Sequence, residues 1–202
     1  MSALLSVDPQ NSDSAARSLE IAVFPTQLGW IAFAMRQQSL VRLVFGYSDA
    51  ETASNGLAKS SGFGPGYSSE LCDAKAANFI SCVESVQKRL VRFADGEADD
   101  FADLQVWSSG WTSFQRQVLN RCRQISYGET RTYAELAAAA GRPGAARAVG
   151  RAMATNPIPL VIPCHRVVGS AGELRGFSAI GGLDAKRRLL ALERGESAPA
   201  LR

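Results

Sequence analysis

Cys164 and His165 stand side by side in the stretch Asn156–Val168, NPIPLVIPCHRVV, and His165 is the only histidine of the 202 residues. A thiolate is a strong, soft nucleophile, which needs a base to generate it and a pocket that keeps competing reactants out. His165 is the obvious base. The X-Pro steps at Pro157 and Pro159 bias the chain to extended conformations, and Pro163 stiffens the backbone beside the thiol. Adjacent residues of an extended segment point to opposite sides, so the sequence leaves open a direct contact or a bridging water between thiol and imidazole. Taken alone, the pair also fits a buried structural cysteine that happens to precede a histidine, because free cysteine is among the most buried residue types.

The charge around this stretch is uneven. Residues 1–105 carry 8 Lys+Arg against 13 Asp+Glu, a net of −5, and residues 106–202 carry 14 against 6, a net of +8. Of the 14 cations in the second part, 13 are arginine. A planar guanidinium matches phosphate oxygens in a bidentate way, although a solvated basic surface has the same composition. Cys72, Cys82, Cys122 and Cys164 show no CxxC spacing, and one histidine does not complete a structural zinc site with them, so no metal is expected. There is no run of 18 apolar residues and no signal-like segment in residues 1–18, which leads to the expectation of a soluble, cytoplasmic protein with reduced thiols.

The supporting elements follow from pattern. Residues 1–18, rich in Ser, Ala, Asp and Asn, read as a flexible arm. Leu19–Pro25, Trp30–Met35 and Leu40–Phe45, separated by TQLG and RQQS turns, read as three antiparallel strands. Residues 48–69 are Gly/Ser-rich and read as loop. Ala76, Phe79, Ile80, Val83, Val86 and Leu90 recur at helical spacing in a helix that ends before Gly96. The acidic run Glu97–Asp103 and the following Leu104–Trp111 read as a linker, with a boundary near residue 106 between a unit at 19–105 and another at 106–202.

In the second unit Phe114, Val118, Cys122 and Ile125 share one helical face, opposite Arg116, Asn120 and Arg123, which places Cys122 in the core. Thr132 and Glu135 have the spacing of a capping box, and Gly141 supplies a helix stop. RPGAARAVGRAMATN follows, with Pro143 suited to a first helical turn. On a helical wheel Arg147, Gly150, Arg151 and Ala154 form one face, and Ala145, Val149, Ala152 and Met153 the other. Helix, tight turn, helix fits a helix-turn-helix, as it fits other helix pairs. Small residues around two arginines let a backbone approach DNA closely, and an inserted arginine can occupy the space of an extruded base, which makes Arg147 the candidate. The last helix, Leu183 to about Arg194, buries Ala185, Leu189 and Leu192 and carries Glu193 on the same face. That carboxylate either frays into water or orients His165.

IPCHRVV at Ile162–Val168 resembles the active-site signature of the O6-alkylguanine-DNA alkyltransferases. The resemblance extends from about Phe114 to Glu193, with RAVG at Arg147–Gly150, Asn156 eight residues before the cysteine, and Gly176–Ser178 and Gly181–Leu183 beyond it. It implies an α/β plus α fold. A small antiparallel three-stranded sheet with a helix, ribonuclease-H-like, would support a mainly helical C-terminal domain bearing a helix-turn-helix of winged-helix type.

The implied activity is direct-reversal repair, in which the alkyl group of O6-alkylguanine, with O4-alkylthymine left open, passes irreversibly to Cys164 after base flipping. Glu193 would complete a Cys-His-Glu relay, Asn156 brace the active-site backbone, and Tyr133 help rotate the nucleotide and hydrogen-bond it. Arg147, with Ala146, Gly150 and Arg151 beside it, would enter the minor groove of double-stranded DNA. Tyr133, Val167, Phe177 and Ser178 would form the base pocket, with main-chain groups near Val167 and Ser178 reading the base edge. No cofactor is implied, no membrane, and a monomer. Some relatives have tyrosine where this chain has Phe177, and some run from the pocket serine directly to GGL, whereas Ala179 and Ile180 intervene here, so pocket size does not carry over. Two other readings stay open: a lesion-recognition protein that flips bases without transfer, and a Cys-His hydrolase that releases its product.

Overall fold

The structure, a computed structural model, describes residues 19–60 and 77–196. Strands β1 (Glu20–Thr26), β2 (Gly29–Arg36) and β3 (Ser39–Tyr47) form an antiparallel meander, as their alternating patterns predict. Phe24, Ile31, Phe33, Met35, Leu40, Leu43 and Phe45 face one core, and Ala32 and Ala34 face the other side. Gln37 and Gln38 both adopt left-handed backbone (φ 48° and 62°), the geometry of a primed two-residue hairpin turn.

In the β1–β2 turn Thr26 Oγ1 donates to the Gly29 carbonyl (2.7 Å) and accepts from Leu28 N (3.1 Å). Gly29 has φ +87°, and a Cβ there would lie 2.9 Å from the Tyr47 carbonyl oxygen. Gly29→Ala therefore meets both a left-handed backbone and a fixed main-chain neighbour, and should cost about 1–3 kcal/mol. A denaturant midpoint equal to that of the parent protein would contradict this account.

Two segments differ from expectation. The residues read as linker include β4 (Gln105–Val106), which pairs parallel to β3, so the sheet has four strands rather than three. A two-residue strand leaves no alternation to read. The acidic run before it is anchored as well: Asp99 and Asp103 each take two hydrogen bonds from Arg89, and Arg123 Nη2 donates to the Phe101 and Leu104 carbonyls. Residues 48–69 were expected to be loop, yet α1 spans Ala50–Ser60, while 61–69 lie outside the described residues. Asp49 caps α1 by accepting from Thr52 N (2.8 Å), and Ala53 and Leu57 pack on the Ala32–Ala34 face. Gly56 reads as a loop residue, but a Cβ there would lie 2.0 Å from the Tyr47 hydroxyl, so close packing accounts for the glycine.

Helix α2 (Ala77–Ala94) buries Val86 and Leu90 of the predicted stripe, with Val83 half-buried, and Phe93 beside them; Ala76 and the side chains of Phe79 and Ile80 lie outside the described residues. Helix α3 (Ser113–Cys122) starts at Thr112, whose side chain accepts from Gln115 N, and buries Val118, Leu119 and Cys122. Helix α4 (Tyr133–Ala139) has the expected capping box between Thr132 and Glu135. Helix α5 (Ala146–Ala154) follows, and Pro143 lies in the turn before it rather than in its first turn, because Gly144 at φ +84° and the uncapped Ala145 delay the start. Helix α6 spans Gly182–Glu193. Two short strands, β5 (Arg131–Thr132) and β6 (Val167–Val168), pair in parallel and set the start of α4 beside the segment after Cys164. The result is an α/β protein with a small mixed sheet, whose main apolar core runs from Phe24 to Leu189. No helix among the described residues is long and apolar enough to cross a membrane.

Candidate active site

Asn156 sits just past the C-cap of α5. Its Oδ1 accepts from Ile158 N (3.1 Å) and its Nδ2 donates to the Ile162 carbonyl (2.8 Å), which closes the Pro157–Ile162 loop. Leu160 in that loop is held at φ +72°, a strained backbone for a γ-branched residue. Leu43 N of β3 donates to the Pro157 carbonyl (3.0 Å), fixing the loop to the sheet.

Cys164–Arg166 form a single 3-10 turn, not the extended strand expected from the prolines. The closing bonds run from Arg166 N to the Pro163 carbonyl and from Val167 N to the Cys164 carbonyl. With three residues per turn, Cys164 and His165 project about 120° apart. Cys164 reaches the floor of a cavity at 5% exposure, while His165 and Arg166 point into the protein.

Glu193, at the end of α6, joins these residues. Its Oε1 lies 2.8 Å from His165 Nε2 and its Oε2 accepts from Gly128 N (3.1 Å). Arg166 donates Nε to both oxygens (3.0 Å each) and Nη2 to Oε1 (2.9 Å). Burial opposes ionisation of Glu193, but the hydrogen bonds and charges of His165 and Arg166 outweigh it and pull the carboxyl down to about 2. An ionised carboxylate only accepts, so the hydrogen of the imidazole is on Nε2. Burial also pulls His165 below its ordinary value, against the pull of Glu193, leaving a neutral ring whose Nδ1 is a lone-pair acceptor. That buried nitrogen has no hydrogen-bond partner among the described residues.

Burial pushes the Cys164 thiol up, against a hydrogen bond from Asn156, the charge of Lys186 and the main-chain N–H groups of Cys164 and His165. The resting group is therefore a thiol, which requires a base. Lys186 is fully buried on α6; its Nζ donates to the Val167 (2.6 Å) and Arg175 (3.0 Å) carbonyls and lies 5.8 Å from the Tyr133 ring centroid. The Tyr133 hydroxyl donates to the same Arg175 carbonyl (3.1 Å). One ammonium thus ties together the active-site segment, the loop before Phe177, and α4.

Neither Lys186 nor Arg166 was singled out from sequence. Arg166 also donates to the Ile125 carbonyl (2.6 Å) and to Asp100 (3.1 Å), and its guanidinium lies 5.7 Å from the Tyr127 ring centroid. Their signals were present: Arg166 is inside the quoted signature, and Lys186 is seven residues before Glu193 on the same inner face of α6.

The cavity, about 430 Å³, is lined by Cys164, Asn156, Phe177 and Ser178, together with the buried Phe45 and the half-buried Tyr47 of β3 and the exposed Ile180. Tyr133 and Val167 are not among the lining residues: Val167 is fully buried with its carbonyl held by Lys186, and Tyr133 is half-buried. On α5, Arg147, Arg151 and Ala154 are exposed, Ala146 and Gly150 half-buried, and Val149, Ala152 and Met153 buried. A Cβ at Gly150 would meet nothing within 4 Å, so internal packing does not require this glycine. Among the described residues no three His, Cys, Asp or Glu side chains gather as a metal would need.

Comparison with known proteins bears on this site. The family model described as 6-O-methylguanine DNA methyltransferase, DNA binding domain, matches residues 113–195. A methylated-DNA--protein-cysteine methyltransferase of Mycolicibacterium paratuberculosis is 48% identical over 114 residues, covering 56% of this chain and 67% of the relative. The crystal structure of Mycobacterium tuberculosis OGT in complex with DNA superposes with a TM-score of 0.62 at 31% identity, over 88% of this chain and 94% of that one. The chain belongs to the O6-methylguanine-DNA methyltransferase family.

A second relative of that name, from Haemophilus influenzae, is 43% identical over 111 residues, or 55% of this chain and 60% of the relative. The alignments with these two curated relatives thus span about 60–67% of their length, whereas the structural match extends further. Every residue of the site named above, from Tyr133 to Glu193, lies within the segment matched by the methyltransferase family model, while Asp100, Phe45 and Tyr47 lie outside it.

Proposed function

We propose that this protein is a methylated-DNA--protein-cysteine methyltransferase that repairs O6-alkylguanine in DNA by transferring the alkyl group to Cys164. The observation that carries the mechanism is the buried His165–Glu193 pair behind a cavity-floor thiol, with Nδ1 of His165 left as an acceptor. The target guanine is flipped out of the duplex and presents its sp3 alkyl carbon to Sγ. The thiol proton passes through a water to His165 Nδ1, and Glu193 stabilises the imidazolium. The sulfur–carbon bond forms as the carbon–O6 bond breaks, the electron pair goes to the guanine, and the guanine regains a proton as it leaves. Tyr133, whose hydroxyl burial holds above its ordinary value, stays protonated and would exchange its bond to the Arg175 carbonyl for one to the leaving base. Asn156 braces the loop, and Phe177 and Ser178, which line the cavity, hold the base. The thioether is not reversed by thiol exchange, so each molecule acts once.

On the DNA side, Arg147 and Arg151 on the exposed face of α5, with Ala146 and Gly150 between them, favour entry of this helix into the minor groove, Arg147 filling the space of the flipped base. The α4–α5 pair with the β5–β6 ladder supports a winged-helix reading of residues 106–202, and the meander backed by helices supports a ribonuclease-H-like reading of residues 19–105. The protein acts as a cytoplasmic monomer without a cofactor. Intact mass and peptide mapping after mixing with a duplex carrying one O6-methylguanine should show a gain of one methyl group on the Cys164 peptide, saturating at one per protein. An unmodified protein that prefers the lesion duplex would indicate flipping without transfer, and product release from an unmodified protein would indicate a hydrolase.

A further inference from the structure

Arg42 of β3 is the one charged residue among those lining the cavity that holds Cys164. Its guanidinium is half-buried, and among the described residues it has no hydrogen-bond or ion-pair partner; burial alone shifts it downward, with no carboxylate opposing. Arginine stays charged under such a shift, so a cation is held, partly desolvated, in a cavity whose lining includes no acidic residue among the described residues.

Its place in the fold indicates what kind of anion it can meet. The Leu43 N to Pro157 carbonyl bond holds this part of β3 against the segment that ends α5. Ala154, on the exposed face of α5 that carries Arg147 and Arg151, also lines the cavity. Ala154, Arg42 and Cys164 thus line one cavity, which joins the arginine-bearing face of α5 to the thiol. Ser60, the last residue of α1, lines it too, but a helix C-terminus offers only a partial charge.

We infer that Arg42 binds a phosphodiester of the lesion strand as the flipped nucleotide enters the cavity, so that β3 extends the DNA contact made by α5. A flipped nucleotide carries a phosphate on each side of its sugar whatever its alkyl group, and a guanidinium pairs with phosphate in a bidentate way. The inference rests on the alkyl-transfer reading above.

The test compares the parent protein with Arg42→Gln and Arg42→Lys. Binding to a duplex with one O6-methylguanine is measured across a series of KCl concentrations, and transfer rate constants are measured on that duplex and on free O6-benzylguanine, which has no phosphate. Arg42→Gln should flatten the log–log salt slope by about 0.9 for one phosphate. The ratio of duplex to free-base rate constants should fall about tenfold. Arg42→Lys should keep the slope and lose part of the rate. An unchanged slope and ratio would overturn the inference. So would equal losses on both substrates, which would make Arg42 a pocket-shaping residue, or a lowered melting temperature with an unchanged slope, which would make it a partner of the α1 terminus. A ratio that falls only for an O6-carboxymethyl lesion would assign Arg42 to the substituent instead. A parent protein that transfers nothing to Cys164 would reject the underlying function, separately from Arg42.

Discussion

Cys164→Ala should abolish alkyl transfer and leave a folded protein that still binds a duplex containing O6-methylguanine. No other thiol can substitute among the described residues: Cys122, the last residue of α3, is fully buried in the core, and Cys82 on α2 does not line the cavity. Removing one sulfur from a nearly closed site costs about 1 kcal/mol, on the scale of a buried methylene, which a domain of this size tolerates. The surface of α5 is untouched by the change. Single-turnover assays with the labelled methyl group and titration of the same duplex by anisotropy make the check. Measurable transfer, or joint loss of transfer and binding in a protein that melts normally, would contradict separate roles for the cavity floor and the helix.

Glu193→Gln should be the most damaging change that keeps the nucleophile. The carboxylate is the shared acceptor for His165 Nε2, three Arg166 contacts and Gly128 N, and its side chain is 1% exposed. An amide leaves the Arg166 guanidinium with the half-exposed Asp100 and the Ile125 carbonyl, and breaking a buried pair by removing one charge costs about 3–5 kcal/mol. If the amide nitrogen faces the ring, the imidazole hydrogen moves to Nδ1 and the base is lost. Transfer should slow by about 10²–10⁴-fold, the span of a general base contribution.

The pH dependence has a definite sign. Glu193 ionises at about 2 in the folded protein, against about 4.3 when unfolded, so its stabilisation is present above that value and lost as pH falls toward 2. His165 is held neutral by burial; its unfolded form takes up a proton below about 6.5, so this contribution too is lost on acidification. The parent protein should therefore lose stability in acid in two stages, and Glu193→Gln should lack the lower one. A melting temperature of the variant that tracks the parent below pH 4 by a constant offset would argue against this wiring.

How much of this was legible depended on the length over which a pattern repeats. The meander, α2, α3 and the capped α4 each show several periods of alternation or helical spacing, and all appear where the sequence puts them to within a few residues. Helix α1 was hidden because Ser54, Asn55 and Gly56 carry loop composition, and only Ala53 and Leu57 signal the buried face. Strand β4 is too short to alternate, and the 3-10 turn at Cys164 is closed by bonds to the Pro163 and Cys164 carbonyls, a single turn that shows no periodicity.

In the site, Glu193 stood out because a carboxylate on an apolar face needs a reason. Lys186 sits on the same face but did not stand out, since a lysine stem can run along apolar surface and carry its charge to water. Here the charge stays inside, on two carbonyls supplied by segments 11 and 19 residues away. Partners that distant leave no local trace in sequence.

The cavity draws its reactive floor from the segment that runs from Asn156 to Glu193 and part of its wall from Phe45 and Tyr47 on β3. Two stretches of chain, more than a hundred positions apart, therefore share the cavity: one holds the reacting groups and part of the lining, and the other adds to the girth of what is admitted. Replacements along β3 can retune which damaged bases enter while every proton-handling residue keeps its partners. Descendants of this chain can thus follow a changing chemical environment by altering the half that does no chemistry.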